Sequence, residues 1–425
     1  MSKNKTDKYK AGRVLYCIEA ALEYFIAIMV GETYLAKIAS ELGASDALTG
    51  VLYSFVSLGC AFQMIAIFFA RKTPVKRWVT PLHILSQLLF TLIWAVPLIE
   101  GETRVKLIVF IALLLLGQII HNVINPAKIN WFMSLVDNGK RGRFTAKKEM
   151  ISLIGGMCFS FCMGNVIDLF EERGEIRTAF VIACATVFVL MLLHTLTLIF
   201  TVEKPTEKSG ERVSEGIVLL LHDKTLFKVI GVSVLWYAVN YMTTPFYGSY
   251  RIGELGFSMT FCSLLAIAYS IIRSLVSPLT GRYADKRGFT RMLFICFSIQ
   301  GVALLINTFT APSNGHVFYT AYYVLNAIAM AGINSGQINL IYDYVDEKKR
   351  TSALALSHAV SGVVGFLTTL AVTPLVSYIQ KNGNRLFGIY VYAQQLLSAM
   401  GVVGITVILI YIGTVLKNKH KGEAK

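Results

Sequence analysis

The sequence predicts an all-α integral membrane protein of twelve transmembrane helices, built as two parallel six-helix halves around a central cavity. Three observations carry that prediction. Hydrophobic residues make up 55% of the 425 residues and charged ones 15%, and mean hydropathy is +0.60. That is more apolar surface than a soluble core encloses, so lipid is the solvent. The apolar residues fall into twelve runs of roughly bilayer-spanning length. Finally, the chain repeats itself. Ile124-Asn-Pro-Ala-Lys-Ile-Asn130, leading into Val136-Asp137 and Lys140-Arg141, recurs as Ile333-Asn-Ser-Gly-Gln-Ile-Asn339, leading into Val345-Asp346 and Lys349-Arg350. Glu41-Leu-Gly-Ala-Ser45 recurs as Glu254-Leu-Gly-Phe-Ser258. Both echoes run in the same direction, which predicts halves at 1–200 and 226–425 joined by a cytoplasmic linker at 201–225.

The first run, 14–35, follows a basic tail but is too long for a signal-peptide core and lacks a small-residue cleavage pattern, so it reads as a retained helix. Leu42-Gly-Ala-Ser-Asp46 supplies a turn and cap before the second run, 48–70. Runs 79–98, 106–135, 150–169 and 179–200 complete the first half. The one long polar stretch, 201–216, is the linker. Runs 226–250, 258–279, 292–310, 317–342, 352–379 and 387–416 form the second half.

Of the 40 Lys and Arg residues, 30 lie in alternate loops, eight lie on the opposite side (Arg251 and Lys37 among them), and Lys128 and Arg273 lie inside helices. The positive-inside rule then places both termini in the cytoplasm, and the expected location is the plasma membrane. Short basic loops beside a bilayer also account for the net charge of +15, which leaves nucleic acid without a claim. All seven cysteines fall in predicted helices without paired spacing, so neither a disulfide framework nor a zinc site is implied.

Helices one, four, seven and ten are the polar ones. Helix one carries Glu19 and Glu23, one turn apart, with Glu32 nearer the external surface. Helix four carries Gln118, His121, Asn122, Asn125 and Lys128 at three- and four-residue steps, a stripe that faces something other than lipid. Helix seven offers Trp236, Asn240, Thr244 and Tyr247, with Pro245 interrupting its backbone bonding. Helix ten offers Tyr323, Asn326, Asn334 and Gln337. Counting about 1.5 Å per residue from the cytoplasmic ends puts Glu23, Lys128, Arg273 and Gln337 at one depth near the midplane. A charge there costs about 2.5–3.5 kcal/mol on insertion scales, so these groups must face water or each other.

The expected substrate site is therefore Glu23, Lys128 and Arg273, with His121, Asn125, Trp236, Asn240, Tyr247, Asn334 and Gln337 around it. Glu23, with Glu19 as second candidate, is expected to couple protons, because a proton or an anion that breaks the Glu23–Lys128 pair biases the cavity between its two openings. The competing reading is a permanent ion pair that fixes packing. His358, beside Ser357 and Ser361, reads as packing.

The loop Gly281-Arg-Tyr-Ala-Asp-Lys-Arg-Gly-Phe-Thr-Arg291 resembles the signature of the major facilitator superfamily. Gly281, Asp285, Gly288 and Arg291 are in place, and Lys286 stands where Arg is usual. The basic stretch Lys140-Arg-Gly-Arg143 and the twelve-helix plan fit the same family. The resemblance implies a major facilitator fold and a gating latch in which Asp285 pairs with Arg141 or Arg143 and caps the start of helix five. The loop at 70–78 departs from the signature, lacking its Gly and Asp, so the mirror latch is expected to be weak. Gly155, Gly156 and Gly164 have no neighbouring proline, unlike the drug/proton antiporters of the family.

The leading expectation is a secondary active transporter of a small anionic or zwitterionic organic solute, working by alternating access, with protons as a coupling partner. Efflux of amphipathic compounds is the rival within transport, and an intramembrane enzyme or a non-transporting sensor the rival outside it. No Gly-x-x-x-x-Gly-Lys, His-Glu-x-x-His or Gly-x-Ser-x-Gly stands in the sequence, which argues against hydrolysis-driven transport and against two enzyme classes. The expected protein is a monomer in the lipid bilayer, with no cofactor, no metal and no catalytic residues.

Overall fold

The computed structural model describes residues 9–69, 74–136, 141–204, 224–345 and 350–416. The linker between 205 and 223 and the loop residues Asp137, Lys140 and Asp346 lie outside them.

The chain opens with α1 (Lys10–Met29) and α2 (Glu32–Glu41), a single run bent by 42° at Val30-Gly31. Next come α3 (Asp46–Tyr53) and α4 (Phe55–Phe69), separated at Ser54. Ser45 caps α3 as its position predicts, its hydroxyl accepting from the Leu48 N–H at 3.3 Å. Then follow α5 (Val75–Ala95), α6 (Thr103–Ser134), α7 (Arg141–Glu172) and α8 (Ile176–Phe200). The remaining helices are α9 (Lys224–Thr243), α10 (Met259–Arg287), α11 (Phe289–Thr308), α12 (Gly315–Tyr344), α13 (Arg350–Lys381) and α14 (Ala393–Val415). Nine described helices are long and apolar enough to cross a membrane, ten with the bent α1–α2 pair. The α3–α4 run and α12, 30 residues long but rich in Tyr and Asn, stand where the expected fold has its second and tenth spans.

The chain forms two compact units, Met1–Gly43 with Phe62–Gly210 and Ala44–Ala61 with Glu211–Lys425. In the first unit α1 packs on α7 and α8, and α5 on α6 and α8. Glycines permit the approach: a Cβ on Gly156 would meet the Tyr24 ring at 2.3 Å, and one on Gly117 the Phe90 ring at 2.7 Å. Tyr16, Phe132, Trp131, Leu135 and Leu198 form an apolar cluster, with Tyr16 stacked on Phe132 at 4.6 Å. A carboxylate anchors the start of α5. Glu203 accepts from the backbone N–H groups of Val75 and Lys76 at 2.7 and 3.1 Å, a carboxylate placed on a helix N-terminus. Lys37, expected in an external loop, is buried and bonded to Glu171 at 2.5 Å.

In the second unit α11 packs against α12 and α14, α9 against α13 and α14, and α10 against α12. Residues 44–61 join this unit because Ser57 donates to the Gly362 carbonyl at 2.9 Å and Gln380 donates to Asp46 at 2.6 Å. Pro245 breaks the seventh span. Beyond α9 the backbone passes through a 3-10 turn (Thr244–Phe246), a short helical turn (Tyr247–Ser249) and a π turn (Tyr250–Glu254).

This break corrects two expectations. Arg251 is not an external loop residue but is buried, its Nε donating to the Tyr247 carbonyl at 3.1 Å and its guanidinium lying 5.9 and 5.8 Å from the Tyr319 and Tyr323 rings. Tyr247 turns into the unit core instead of lining a cavity. Its hydroxyl sits 3.2 Å from that of Ser398 and its ring meets Tyr322 edge-on at 5.4 Å. The twelfth helix begins later than the apolar run at 387–416 suggests. Residues 385–390 form a ribbon of β1 (Arg385–Leu386) and β2 (Ile389–Tyr390), turned by Phe387 and Gly388 at φ 51° and 84°.

Candidate functional site

Glu19 and Glu23 are four residues apart on α1, so a 3.6-residue repeat puts them on one face. Lys128 reaches them from α6. Its Nζ lies 2.8 Å from Glu19 Oε1 and forms an ion pair with Glu23 Oε1. Lys128 and Glu19 are buried, their side chains 2% and 1% exposed, while Glu23 retains 21%. Ionised, the three groups sum to one net negative charge, and with Glu19 and Lys128 buried such a charge is costly unless another positive charge joins it.

Two further helices extend the cluster. On α8, His194 Nε2 lies 3.1 Å from Glu19 Oε1, and its Nδ1 lies 2.8 Å from Nε2 of His83 on α5. With both imidazoles neutral, one proton arrangement satisfies both contacts: His83 Nε2–H donates to His194 Nδ1, and His194 Nε2–H donates to Glu19. That leaves His83 Nδ1 as a lone pair. It is buried and has no hydrogen-bond partner among the described residues, and the same holds for His121 Nδ1, 3.8 Å from Glu23 Oε1. Beside them Gln63 donates to Asn122 at 3.1 Å. Tyr16, three residues before Glu19 on α1, belongs with Phe132 to the neighbouring apolar cluster.

Of the residues expected at the site, the structure brings together Glu23, Lys128, His121 and Glu19. It adds His83 and His194, which the sequence reading passed over. Each is the lone histidine of its span, and counting inward at about 1.5 Å per residue puts His83, from Arg77, at the depth of Glu19 and His194, from Lys204, near the depth of Lys128. Asn125 is half-buried on α6 between His121 and Lys128.

The second unit holds a cavity of about 240 Å³ between α9, α12 and α13. Four expected residues line it: Trp236, Asn240, Asn334 and Gln337. Tyr237, Tyr241, Ser357, Ser361 and His358 line it as well, so His358 borders open space where the sequence suggested packing. No Asp, Glu, Lys or Arg is among the lining residues. The cavity therefore offers aromatic faces, amides and hydroxyls but no fixed charge. Arg273 is half-buried on α10, outside this lining.

The signature segment is largely helical. Gly281 and Asp285 lie within α10, Asp285 exposed, and Arg291 stands in the first turn of α11. Gly288, at φ 88° and ψ 151°, makes the corner between the two helices, a conformation open essentially to glycine alone. The side chains of Arg141 and Arg143 lie outside the described residues.

The family model described as Major Facilitator Superfamily matches residues 15–369. No curated protein matches the sequence. Among solved structures, a mutant form of the nucleoside transporter NupG superposes with a TM-score of 0.75 at 13% identity, covering 96% of this chain and 100% of that one. A bacterial homologue of the iron transporter ferroportin in its inward-facing state gives 0.70 at 14% identity over 97% and 100%. The D-xylose-proton symporter gives 0.67 at 14% identity over 94% and 96%. At these identities the likeness is one of fold.

Proposed function

The chain belongs to the Major Facilitator Superfamily, and from that premise we propose that it is a proton-coupled symporter of a small polar organic solute, its two halves alternating access across the plasma membrane. It is a multi-pass secondary transporter of that superfamily; the solute, the coupling and the orientation are our reading.

The observation that carries the coupling is the charge count of the first unit. Glu19, Glu23 and Lys128 leave one negative charge uncompensated, so the cluster takes up one more positive charge to sit stably in a low-dielectric site. We assign the exchangeable proton to Glu19, the more deeply buried carboxylate, whose hydrogen bond to His194 gives the proton a path. When Glu19 is protonated, Lys128 is held by Glu23 alone, and that shift of one lysine between two carboxylates is the local event that biases the conformational equilibrium.

The solute binds at the second unit's cavity. The expectation of an anionic or zwitterionic solute rested on Lys128 being available to a ligand, and Lys128 is already shared by two carboxylates. The uncharged lining instead favours a neutral, hydrogen-bonding solute with a flat face to stack on Trp236 or Tyr237, and Asn240, Asn334 and Gln337 to read its polar edge. Among similar folds, one solved transporter carries nucleosides and another symports D-xylose with protons, and both solute classes meet this description. Both termini and the linker face the cytoplasm, and the carrier works as a monomer.

Counterflow in proteoliposomes against a panel of nucleosides, sugars and carboxylates tests this. A neutral polar solute should exchange, with Gln337→Ala and Asn240→Ala weakening it by about tenfold, as loss of a hydrogen bond to a buried polar group predicts. Exclusive exchange of carboxylates, unaffected by those two changes, would overturn it.

A further inference from the structure

We propose that Glu23, His83 and His121 form a binding site for a divalent transition-metal cation. Metal was absent from the expectations set by the sequence, because the three residues come from three separate helices and show no ligand spacing along the chain. The fold makes the set. One ligand atom from each residue can be chosen so that all three lie within 4.8 Å of one another. A cation with ligands at about 2.0–2.2 Å holds neighbouring ligand atoms about 3–3.6 Å apart, so side-chain adjustments of about 1 Å close the set.

Two independent features point to a ligand there. His83, 1% exposed, has its Nε2 engaged by His194, so its Nδ1 is a buried lone pair with no hydrogen-bond partner among the described residues; His121 Nδ1 is equally unpartnered. The chain from His83 to His194 to Glu19 also has the form of an outer shell of a metal site, in which a ligating imidazole passes its other N–H toward a carboxylate.

A divalent cation takes the ionised cluster from one net negative to one net positive charge. A cation on Glu23 draws that carboxylate away from Lys128, and Lys128 keeps Glu19 at 2.8 Å, so no buried charge loses its partner. Two imidazoles and one carboxylate suit Zn²⁺, Fe²⁺ or Mn²⁺ and suit Mg²⁺ and Ca²⁺ poorly, since those prefer all-oxygen shells. The site would tie α1, α5 and α6 together. Binding at this site does not depend on the identity of the transported solute.

The test uses the full chain, purified, chelator-treated and reconstituted in nanodiscs, with Zn²⁺ as the probe. Equilibrium dialysis with elemental analysis should find one equivalent per chain, resistant to excess Mg²⁺. His121→Gln, at a half-buried position, and Glu23→Gln should each weaken it by about tenfold or more, and His316→Gln, which removes an exposed imidazole elsewhere, should leave it unchanged. X-ray absorption of the zinc form should show imidazole ligation. The proposal is overturned if no stoichiometric zinc binds, if His316→Gln removes the binding, or if His121→Gln and Glu23→Gln leave it intact. Solute counterflow with the same purified chain in proteoliposomes separates this idea from the proposed function. Zinc binding with failed counterflow counts against the transport reading only, and counterflow without zinc binding counts against the metal site only.

Discussion

Replacing Lys128 by Met should destabilise the protein far more than replacing either of its partners, and the reason is a charge count. Lys128→Met leaves Glu19 and Glu23 facing one another with no ammonium between them, Glu19 being 1% exposed. Removing one partner of a buried ion pair costs about 3–5 kcal/mol, because the remaining charge stays desolvated. Glu19→Gln instead leaves a balanced Glu23–Lys128 pair and an amide that can still bond to Lys128 or His194, so its cost should be that of one weakened charged hydrogen bond, about 1.5–3 kcal/mol. The double variant Lys128→Met with Glu19→Gln should recover part of the loss, since only the more exposed Glu23 remains charged. Thermal unfolding of the purified chain in one detergent, read by intrinsic fluorescence, ranks the three. The expected order of stability is Glu19→Gln, then the double variant, then Lys128→Met. Equal melting of Lys128→Met and the double variant, or a Lys128→Met that melts with the native protein, would refute the reasoning.

Other consequences can be checked in the same preparations. Gly288→Ala forces a side chain into φ 88° and ψ 151°, and should cost about 1–3 kcal/mol, visible as a lowered melting temperature. Trp236→Ala should weaken solute binding by a factor corresponding to about 1–2 kcal/mol of lost stacking and burial, while Tyr247→Phe, a change in the packed core, should leave affinity alone and lower stability by about 1 kcal/mol.

The spans, their order and the pairing of Glu23 with Lys128 were legible in the sequence because each rests on local rules: apolar run length, charge sidedness and helical spacing. What escaped it is tertiary. His83 and His194 each stand alone in an apolar span, and only the packing of α5 and α8 against α1 and α6 makes them one network with Glu19. Glu19 was read as a secondary candidate for the same reason: its depth was visible, its partners were not. Tyr247 was placed in the cavity because the stripe on helix seven was extended past Pro245 as though the helix continued. The break rotates everything beyond it, so a helical register counted from Trp236 no longer holds at Tyr247 or Arg251. Conversely, the register of Asn334 and Gln337 could be counted from the sequence because α12 is unbroken across them, and both line the second unit's cavity.

The central claim is that one proton, carried at Glu19, drives one solute. Proteoliposomes with an outside-to-inside gradient of one pH unit and no membrane potential should accumulate the solute up to about tenfold, since one pH unit is worth about 1.36 kcal/mol per proton. Glu19→Gln should abolish that accumulation, bringing internal and external solute to equality, while counterflow exchange at equal pH persists. Accumulation by Glu19→Gln that still follows the pH gradient would contradict the account.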